Sequence, residues 1–116
     1  MPDSWKQRIV EIESEEAVRF EAWRAIMPPA GGCDVVPRVI RTEFVAAWRD
    51  RAGEAAEHAD ELRDAIMGSV RRGTPDELTP FAGQTAGLVR EVLAAGHIVR
   101  TLVAEAEGAL WRAPRP

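Results

Sequence analysis

Apolar residues recur at steps of three and four along much of the chain, a spacing that places side chains on one face of a helix. The pattern predicts a first helix from Asp3 or Ser4, either of which can serve as its N-cap, to about Glu13. It predicts two longer helices, over residues 54–72 and 96–111. Their predicted buried faces comprise Ala55, Ala59, Leu62, Ile66 and Val70 in the earlier helix, and Ile98, Val99, Leu102, Val103, Ala106 and Leu110 in the later one.

Capping signals divide the middle of the chain into further helices. Thr42 is expected to cap a helix that carries Phe44 and Trp48, and Gly53 to separate that helix from the next. Gly73 suits the position just after the end of the long helix, where a left-handed residue is common.

The motif TPDE, which begins at Thr74, is typical of a helix start. Thr74 is predicted as the N-cap, Pro75 as the first helical residue and Glu77 as the partner that completes a capping box. We expect a short helix that Pro80 ends, followed by one or two helical turns over residues 87–93.

Residues 14–27 fit two patterns. Val18 and Phe20 alternate with charged residues, as in a half-buried strand, but Phe20 also lies on a stripe at helical spacing, and the pattern alone favours a helix. Residues 27–37 contain three prolines and two glycines and are predicted to form a loop, and residues 38–41 to be extended.

Length and periodicity together set the expected fold class. The chain has 116 residues, enough for one modest core and well short of the roughly 250 residues of a closed eight-stranded α/β barrel. We therefore expect a single domain, residues 1–116, that is mainly α-helical. It should contain four or five helices with room for one short pair of β-strands, and no closed barrel.

The charge distribution argues against nucleic acid as a partner. The net charge of −4 arises from 19 acidic and 15 basic residues that are interspersed along the chain, whereas nucleic-acid binding needs a concentrated positive face. The apolar runs are shorter than the roughly 18 residues of a membrane span. The N-terminus, MPDSWKQR, has no signal-peptide pattern. We expect a soluble, cytoplasmic chain that binds neither nucleic acid nor membranes.

Few residues suggest catalytic or metal chemistry. Neither His58 nor His97 has a His or Cys three or four residues away, so we expect surface roles and no metal site. Cys33 is the only cysteine, which excludes an intramolecular disulfide, and no histidine lies near it in sequence to activate its thiol. The carboxylates of residues 54–64 fit a solvated helix face. The tryptophans are expected to be packing anchors, namely Trp5, Trp23, Trp48 and Trp111.

The stretch PFAGQTAGLV, residues 80–89, departs from this charged helical pattern. Its two glycines and small side chains are explained either by a bend or by close approach of the backbone to a ligand. It lacks the spacing of either glycine-rich phosphate-binding motif.

This stretch also carries a family resemblance. The run FAGQTAGLVREV, residues 81–92, followed by HIVRTLVAEAEGAL, residues 97–110, resembles the C-terminal segment of bacterial nitronate monooxygenases, the 2-nitropropane dioxygenase-like flavoproteins. WKQRIVE near the N-terminus, RVIRTEFVAAWRDR from Arg38 and RRGTPDELTPFAGQ from Arg71 resemble further family segments in the same order. AVRF, residues 17–20, resembles a short strand of the family, which favours the strand interpretation there.

The resemblance implies FMN chemistry that this sequence alone does not contain. In the family, an α/β barrel supplies the phosphate loop and the catalytic histidine, to which neither His58 nor His97 corresponds. It implies a truncated or split enzyme that contributes to oxidation of alkyl nitronates only when a barrel with FMN is supplied in trans. No cofactor is expected for the isolated chain and no catalytic residue is assigned. Gly83, Gln84 and Thr85 are the residues that the resemblance marks as flavin-side contacts.

Two other functions fit the sequence. The chain is alternatively a non-catalytic helical interaction or dimerisation module, or a small-molecule binding protein that uses residues 80–89 as a pocket wall. Because a barrel would normally cover part of its apolar surface, we expect self-association or docking on a barrel-bearing partner chain. The sequence LAAGH, residues 93–97, departs from the family, which usually has a proline and an acidic residue there.

Overall fold

The computed structural model describes residues 1–29 and 34–114, and this part of the chain is mainly α-helical, as predicted. It contains six α-helices and two short strands, in the order α1 (Asp3–Glu11), β1 (Ala17–Arg19), α2 (Trp23–Ile26), β2 (Arg38–Ile40), α3 (Glu43–Trp48), α4 (Ala52–Glu57), α5 (Ala59–Arg72) and α6 (Ala95–Arg112). Three short 3₁₀ helices cover Ser14–Glu16, Pro75–Glu77 and Gln84–Leu88. The helices exceed the predicted four or five because α2 is separate and one predicted long helix is split.

The two strands form an antiparallel pair in which Val18 lies opposite Val39. The strand interpretation of residues 17–20 is therefore confirmed, and the helical stripe is confined to α2. A third segment runs along the other edge of β2, because Ile40 donates a backbone hydrogen bond to Pro80 O (2.8 Å) and Ala82 donates one to Arg38 O (3.2 Å). This segment leads directly into the residues that the sequence marked for function.

One hydrophobic core joins the sheet to the helices. Phe20, Ile26, Val39 and Val45 are fully buried in it, and Leu62 and Ile66 of α5 complete it. Trp23 and Trp48 pack against this core while remaining partly exposed, as expected of packing anchors. A smaller cluster of Ile12, Ile40 and Ala86 lies beneath α1.

Local capping signals fixed some helix ends and missed others. Thr42 caps α3 as predicted, since its Oγ1 accepts a hydrogen bond from the Val45 amide at 3.1 Å. Gly73 ends α5 with φ of 78°, the left-handed conformation that glycine adopts most easily. The predicted break at Gly53 was wrong. Gly53 lies inside α4, and α3 is separated from α4 earlier, at residues 49–51. The predicted helix over residues 54–72 is also split, at His58, into α4 and α5.

Two predicted N-terminal caps were also wrong. Asp3 and Ser4 lie within α1, whose N-cap position is occupied by Pro2, and α1 ends at Glu11. The capping box at Thr74 does not form, because the Thr74 hydroxyl donates to the Glu77 carboxylate (3.0 Å) rather than either side chain bonding to the backbone. The segment that follows is accordingly a single 3₁₀ turn.

The largest disagreement concerns α6. Its predicted buried face is exposed, with relative exposures from 50% at Ile98 to 76% at Leu110, and Trp111 is 79% exposed. Periodicity identifies a face that is suited to burial, but it does not say which element covers that face. In the described part of the chain, α2, α4 and the turn Pro75–Glu77 pack against α5, whereas α6 has no buried residue. The predicted packing of α6 with α5 and α3, and the anchoring role of Trp111, were therefore wrong.

Candidate functional site

Residues 80–89 are placed by the sheet and then by a 3₁₀ turn. Pro80 is fully buried, and Phe81 forms an isolated antiparallel bridge with Val39. The chain then bends through the turn Gln84–Leu88, in which the Ala86 amide donates to Gly83 O at 3.0 Å. A bend therefore accounts for part of this unusual sequence.

Gly87 accounts for another part, because the backbone packs closely there. A Cβ built on Gly87 would lie 2.6 Å from the Ser14 backbone nitrogen and 3.0 Å from Ser14 Cα, and it would clash with Ser14 Oγ. Only glycine fits at such a contact, and Ala86 beside it is buried against Ile12 and Ile40. The close approach at Gly87 is thus to the protein's own backbone.

Gly83, Gln84 and Thr85 are all exposed. A Cβ at Gly83 would meet only Thr85 Oγ1, at 3.7 Å, so packing does not require a glycine at this position. Within the described residues, the side chains of Gln84 and Thr85 form no hydrogen bond. The three predicted flavin-side residues therefore lie together on one turn, free of structural roles that would explain their identity.

This turn alone does not fit FMN. Ligand sites are concave and bury most of the ligand surface, whereas these three residues are all exposed on one turn. They line neither the cavity between α2 and α5 nor the one at the α4–α5 break. A flavin contact at this turn would need a second surface on the other side of the ligand.

Exposed apolar side chains surround the turn. Phe81 is 41% exposed, Leu88 is 76% exposed and Val89 is 40% exposed. Trp5 and Trp23 hold this surface in place: the Trp5 indole nitrogen donates to Phe81 O at 3.3 Å, and the Trp23 ring meets the Phe81 ring edge-on at 5.3 Å. We call Phe81, Gln84, Thr85, Leu88 and Val89 the turn surface.

The remaining candidates lie apart from the turn surface. His58 is exposed at the α4–α5 break, where its ring is 6.0 Å from that of Trp48, and His97 is exposed on α6. Across residues 1–29 and 34–114, no cluster of three or more His, Cys, Asp or Glu side chains is arranged to hold a metal ion. Cys33 lies outside the described residues.

Asp76 is a buried charged residue that the sequence analysis did not single out. It is 2% exposed, its Oδ2 lies 3.6 Å from the Arg8 Nε, and its Oδ1 has no hydrogen-bond partner among the described residues. The pair joins α1 to the turn Pro75–Glu77. Its only sequence signal was its place inside the TPDE motif, for which the sequence analysis predicted capping roles for Thr74 and Glu77 and none for Asp76.

A cavity of about 550 Å³ opens elsewhere, between α2 and α5. Its charged groups are already engaged within the protein, since Arg24 pairs with Asp34 at 2.8 Å and the Arg63 Nε donates to Ile26 O at 2.9 Å. The cavity contains none of the predicted site residues, so it adds nothing to the candidate site. Its lining is Trp23, Arg24, Met27, Pro28, Pro29, Asp34, Val35, Arg63 and Met67.

The shifted pKa values belong to exposed ion pairs. A hydrogen bond from Arg51 lowers the pKa of Glu54, and the same contact raises the pKa of Arg51. A hydrogen bond from Lys6 lowers the pKa of Asp3. All of these groups lie at helix starts, so they mark helix termini and no catalytic centre.

The chain matches no protein-family model, no curated protein and no solved structure. Among the described residues, no helix combines the length and the hydropathy needed to span a membrane.

Proposed function

We propose that this chain is a nitronate monooxygenase-like C-terminal subdomain that contributes to FMN-dependent oxidation of alkyl nitronates when an FMN-bearing barrel is supplied in trans. In that complex the turn surface faces the barrel, and Gln84 and Thr85 approach the flavin from one side. The flavin carries the redox chemistry, while this chain shapes and closes the site.

The observation that carries the proposal is the exposure of Gly83, Gln84 and Thr85 on a turn that is otherwise firmly held. Trp5 and Trp23 hold Phe81, and the contact between Gly87 and Ser14 holds the end of the turn. A rigid, exposed turn flanked by apolar side chains is suited to docking, because little ordering entropy is lost on binding. The family resemblance suggests an FMN-bearing barrel as the partner.

The test combines the full chain with the FMN-loaded barrel of a nitronate monooxygenase expressed without its C-terminal region. We expect the chain to bind this barrel and to raise its rate of oxygen consumption with ethyl nitronate. Gln84→Ala should lower that rate while leaving the fold unchanged, because Gln84 is exposed. Gly53→Ala is the matched control, since a Cβ at Gly53 meets nothing within 4 Å.

Failure to bind the barrel, or equal rates for Gln84→Ala and the Gly53→Ala control, would contradict the proposal. An FMN titration of the chain alone gives an independent check, in which we expect no binding, because the turn surface forms no enclosed pocket. A yellow protein that survives gel filtration would instead indicate an independent flavoprotein.

A second function, a helical interaction module without catalytic activity, is favoured by α6. An 18-residue helix with its apolar face exposed is typical of a segment that pairs with another helix or inserts in a groove. This function requires no flavin, and it predicts that Gln84→Ala has no effect on any complex.

A further inference from the structure

The exposed residues of α6 form an ordered pattern. At about 100° per residue, one sector of roughly 140° contains the aliphatic side chains of α6 that are larger than alanine, together with Ala106 and Ala109, and Trp111 lies about 80° outside this sector. These residues are Ile98, Val99, Leu102, Val103, Ala106, Ala109 and Leu110. None of them is buried, and Leu102 and Leu110 are 64% and 76% exposed. We call this sector the α6 face.

Charged residues flank the α6 face in a particular order. Arg100 and Glu107 lie along one edge, and Glu105 and Arg112 lie along the other. Each edge therefore carries one basic and one acidic residue, seven positions apart. An edge with opposite charges at its two ends is complementary to a second copy of itself that runs in the opposite direction.

We propose that the α6 face is covered by α6 of a second copy of this chain, packed antiparallel. When Ile98 of one copy lies level with Leu110 of the other, Leu102 lies level with Ala106, so that a large side chain meets a small one. In this register Arg100 of each copy lies within one residue of the level of Glu107 of the other. The pairing thus buries the apolar face and forms two ion pairs across the two-fold axis.

The opposite orientation is disfavoured by charge. In a parallel pair, the edge that carries Arg100 and Glu107 in one copy faces the edge that carries Glu105 and Arg112 in the other. Glu107 of one copy then lies about 3 Å along the helix axis from Glu105 of the other. This brings together two like charges on each side of the pair. The antiparallel pair has one such contact, between the two copies of Glu105 near the axis.

The shape of the chain also favours the antiparallel arrangement. Its radius of gyration is 18.2 Å, against about 13 Å for a compact domain of this length. Its longest dimension is 60 Å, while α6 alone accounts for about 27 Å. The helix therefore extends from the body that residues 1–89 form. Antiparallel pairing places the two bodies at opposite ends of the helix pair, whereas parallel pairing places them at the same end.

The test measures the mass of the full chain by sedimentation velocity over a series of concentrations. We expect a reversible dimer. Arg100→Glu and Glu107→Arg should each weaken it by about 10-fold, because each change replaces two attractions with two repulsions. The double variant that carries both changes should restore the affinity of the unmodified chain, since it exchanges the charges of both partners.

Two further variants sharpen the result. Leu102→Glu should abolish dimerisation while the circular dichroism of the body is kept, because Leu102 supports nothing within its own chain. Glu105→Gln should tighten the dimer, because it removes the like-charge contact near the axis.

Three outcomes would overturn the pairing. They are a chain that stays monomeric at every concentration, a dimer that survives Leu102→Glu, and single charge variants that the double variant fails to restore. A monomer that acquires a partner only when the flavin barrel is added would assign the α6 face to that barrel. Gln84→Ala tests the proposed function through the turn surface, so the failure of either proposal is distinguishable from failure of the other.

Discussion

Gly87 determines how the turn surface is seated on the body. Because a Cβ there would meet the backbone of Ser14, Gly87→Ala must displace one of two backbone segments. We expect it to lower the free energy of unfolding by about 1–3 kcal/mol, the range typical of overpacking. Urea denaturation measures this change. Gly53→Ala should be neutral or slightly stabilising, since it meets nothing within 4 Å, and equal losses for the two variants would contradict the contact.

Arg8 and Asp76 form the second residue-scale constraint. Asp76 is buried, and Arg8 is the cation that faces it, with its side chain 42% exposed. We expect Arg8→Met to cost about 1–3 kcal/mol, because it leaves a buried carboxylate without a counter-charge, while solvent around Arg8 keeps the loss below that of a fully buried pair.

A double-mutant cycle tests whether this cost arises from the pair itself. Asp76→Asn removes the charge that Arg8 balances, so Arg8→Met should cost less in the Asp76→Asn background than in the unmodified chain. Urea denaturation of the four proteins measures the coupling. Strictly additive losses would show that Arg8 and Asp76 stabilise the fold independently.

At the scale of elements, Thr42 links a helix start to a neighbouring turn. Its hydroxyl accepts from the Val45 amide at 3.1 Å and donates to Leu78 O at 2.7 Å. Thr42→Ala should therefore cost about 1–2 kcal/mol in unfolding free energy, the upper range for loss of an N-cap. Thr42→Ser keeps both hydrogen bonds and should recover most of the loss. If Thr42→Ser were as unstable as Thr42→Ala, the methyl group rather than the hydroxyl would be responsible.

Elements were predictable from the sequence where their cause is local. The Thr42 cap, the left-handed Gly73 and the extended residues 38–40 each depend on a few neighbouring residues, and each was predicted. The capping box predicted from TPDE does not form because its two side chains can also bond to each other. The Thr74 hydroxyl donates to the Glu77 carboxylate, and neither side chain bonds to the backbone amides at the start of the turn. The helix boundary expected at Gly53 lies at residues 49–51, and the additional break at His58 has no local sequence signal.

The candidate site was only partly predictable, for a related reason. Periodicity and composition marked residues 80–89 as unusual, and the resemblance selected Gly83, Gln84 and Thr85. The sequence could not distinguish the roles of the two glycines: Gly83 is open to solvent, whereas Gly87 packs against Ser14. The contact between Gly87 and Ser14 joins residues 73 positions apart, so no local pattern indicates it. The buried Asp76 was missed for the same reason, since its partner Arg8 lies in α1.

At the scale of the whole molecule, α6 is an extension of the body that residues 1–89 form, because none of its residues is buried. Deleting residues 94–116 removes a helix that buries no residue of its own, so in dilute solution the unfolding free energy of the body should change by less than about 0.5 kcal/mol. The slope of the unfolding free energy against urea concentration should also be almost unchanged, because this slope scales with the surface area that unfolding exposes. Urea denaturation of the shortened and full chains makes the comparison. A shortened chain that fails to fold would mean that α6 supports the body.

Comparing the full chain with the chain that lacks residues 94–116 at increasing protein concentrations tests whether the stability of α6 depends on dimerisation. Most helical stability in proteins comes from packing of an amphipathic face, and α6 buries no residue within the described chain, so we expect it to depend on a partner for much of its helicity. If a second copy is that partner, mass action makes the helical content and the melting temperature of the full chain rise with concentration. The chain that lacks residues 94–116 should show neither rise. A full chain whose helicity is independent of concentration would instead have an α6 that is stable alone, and its apolar face would have to be covered by a different protein.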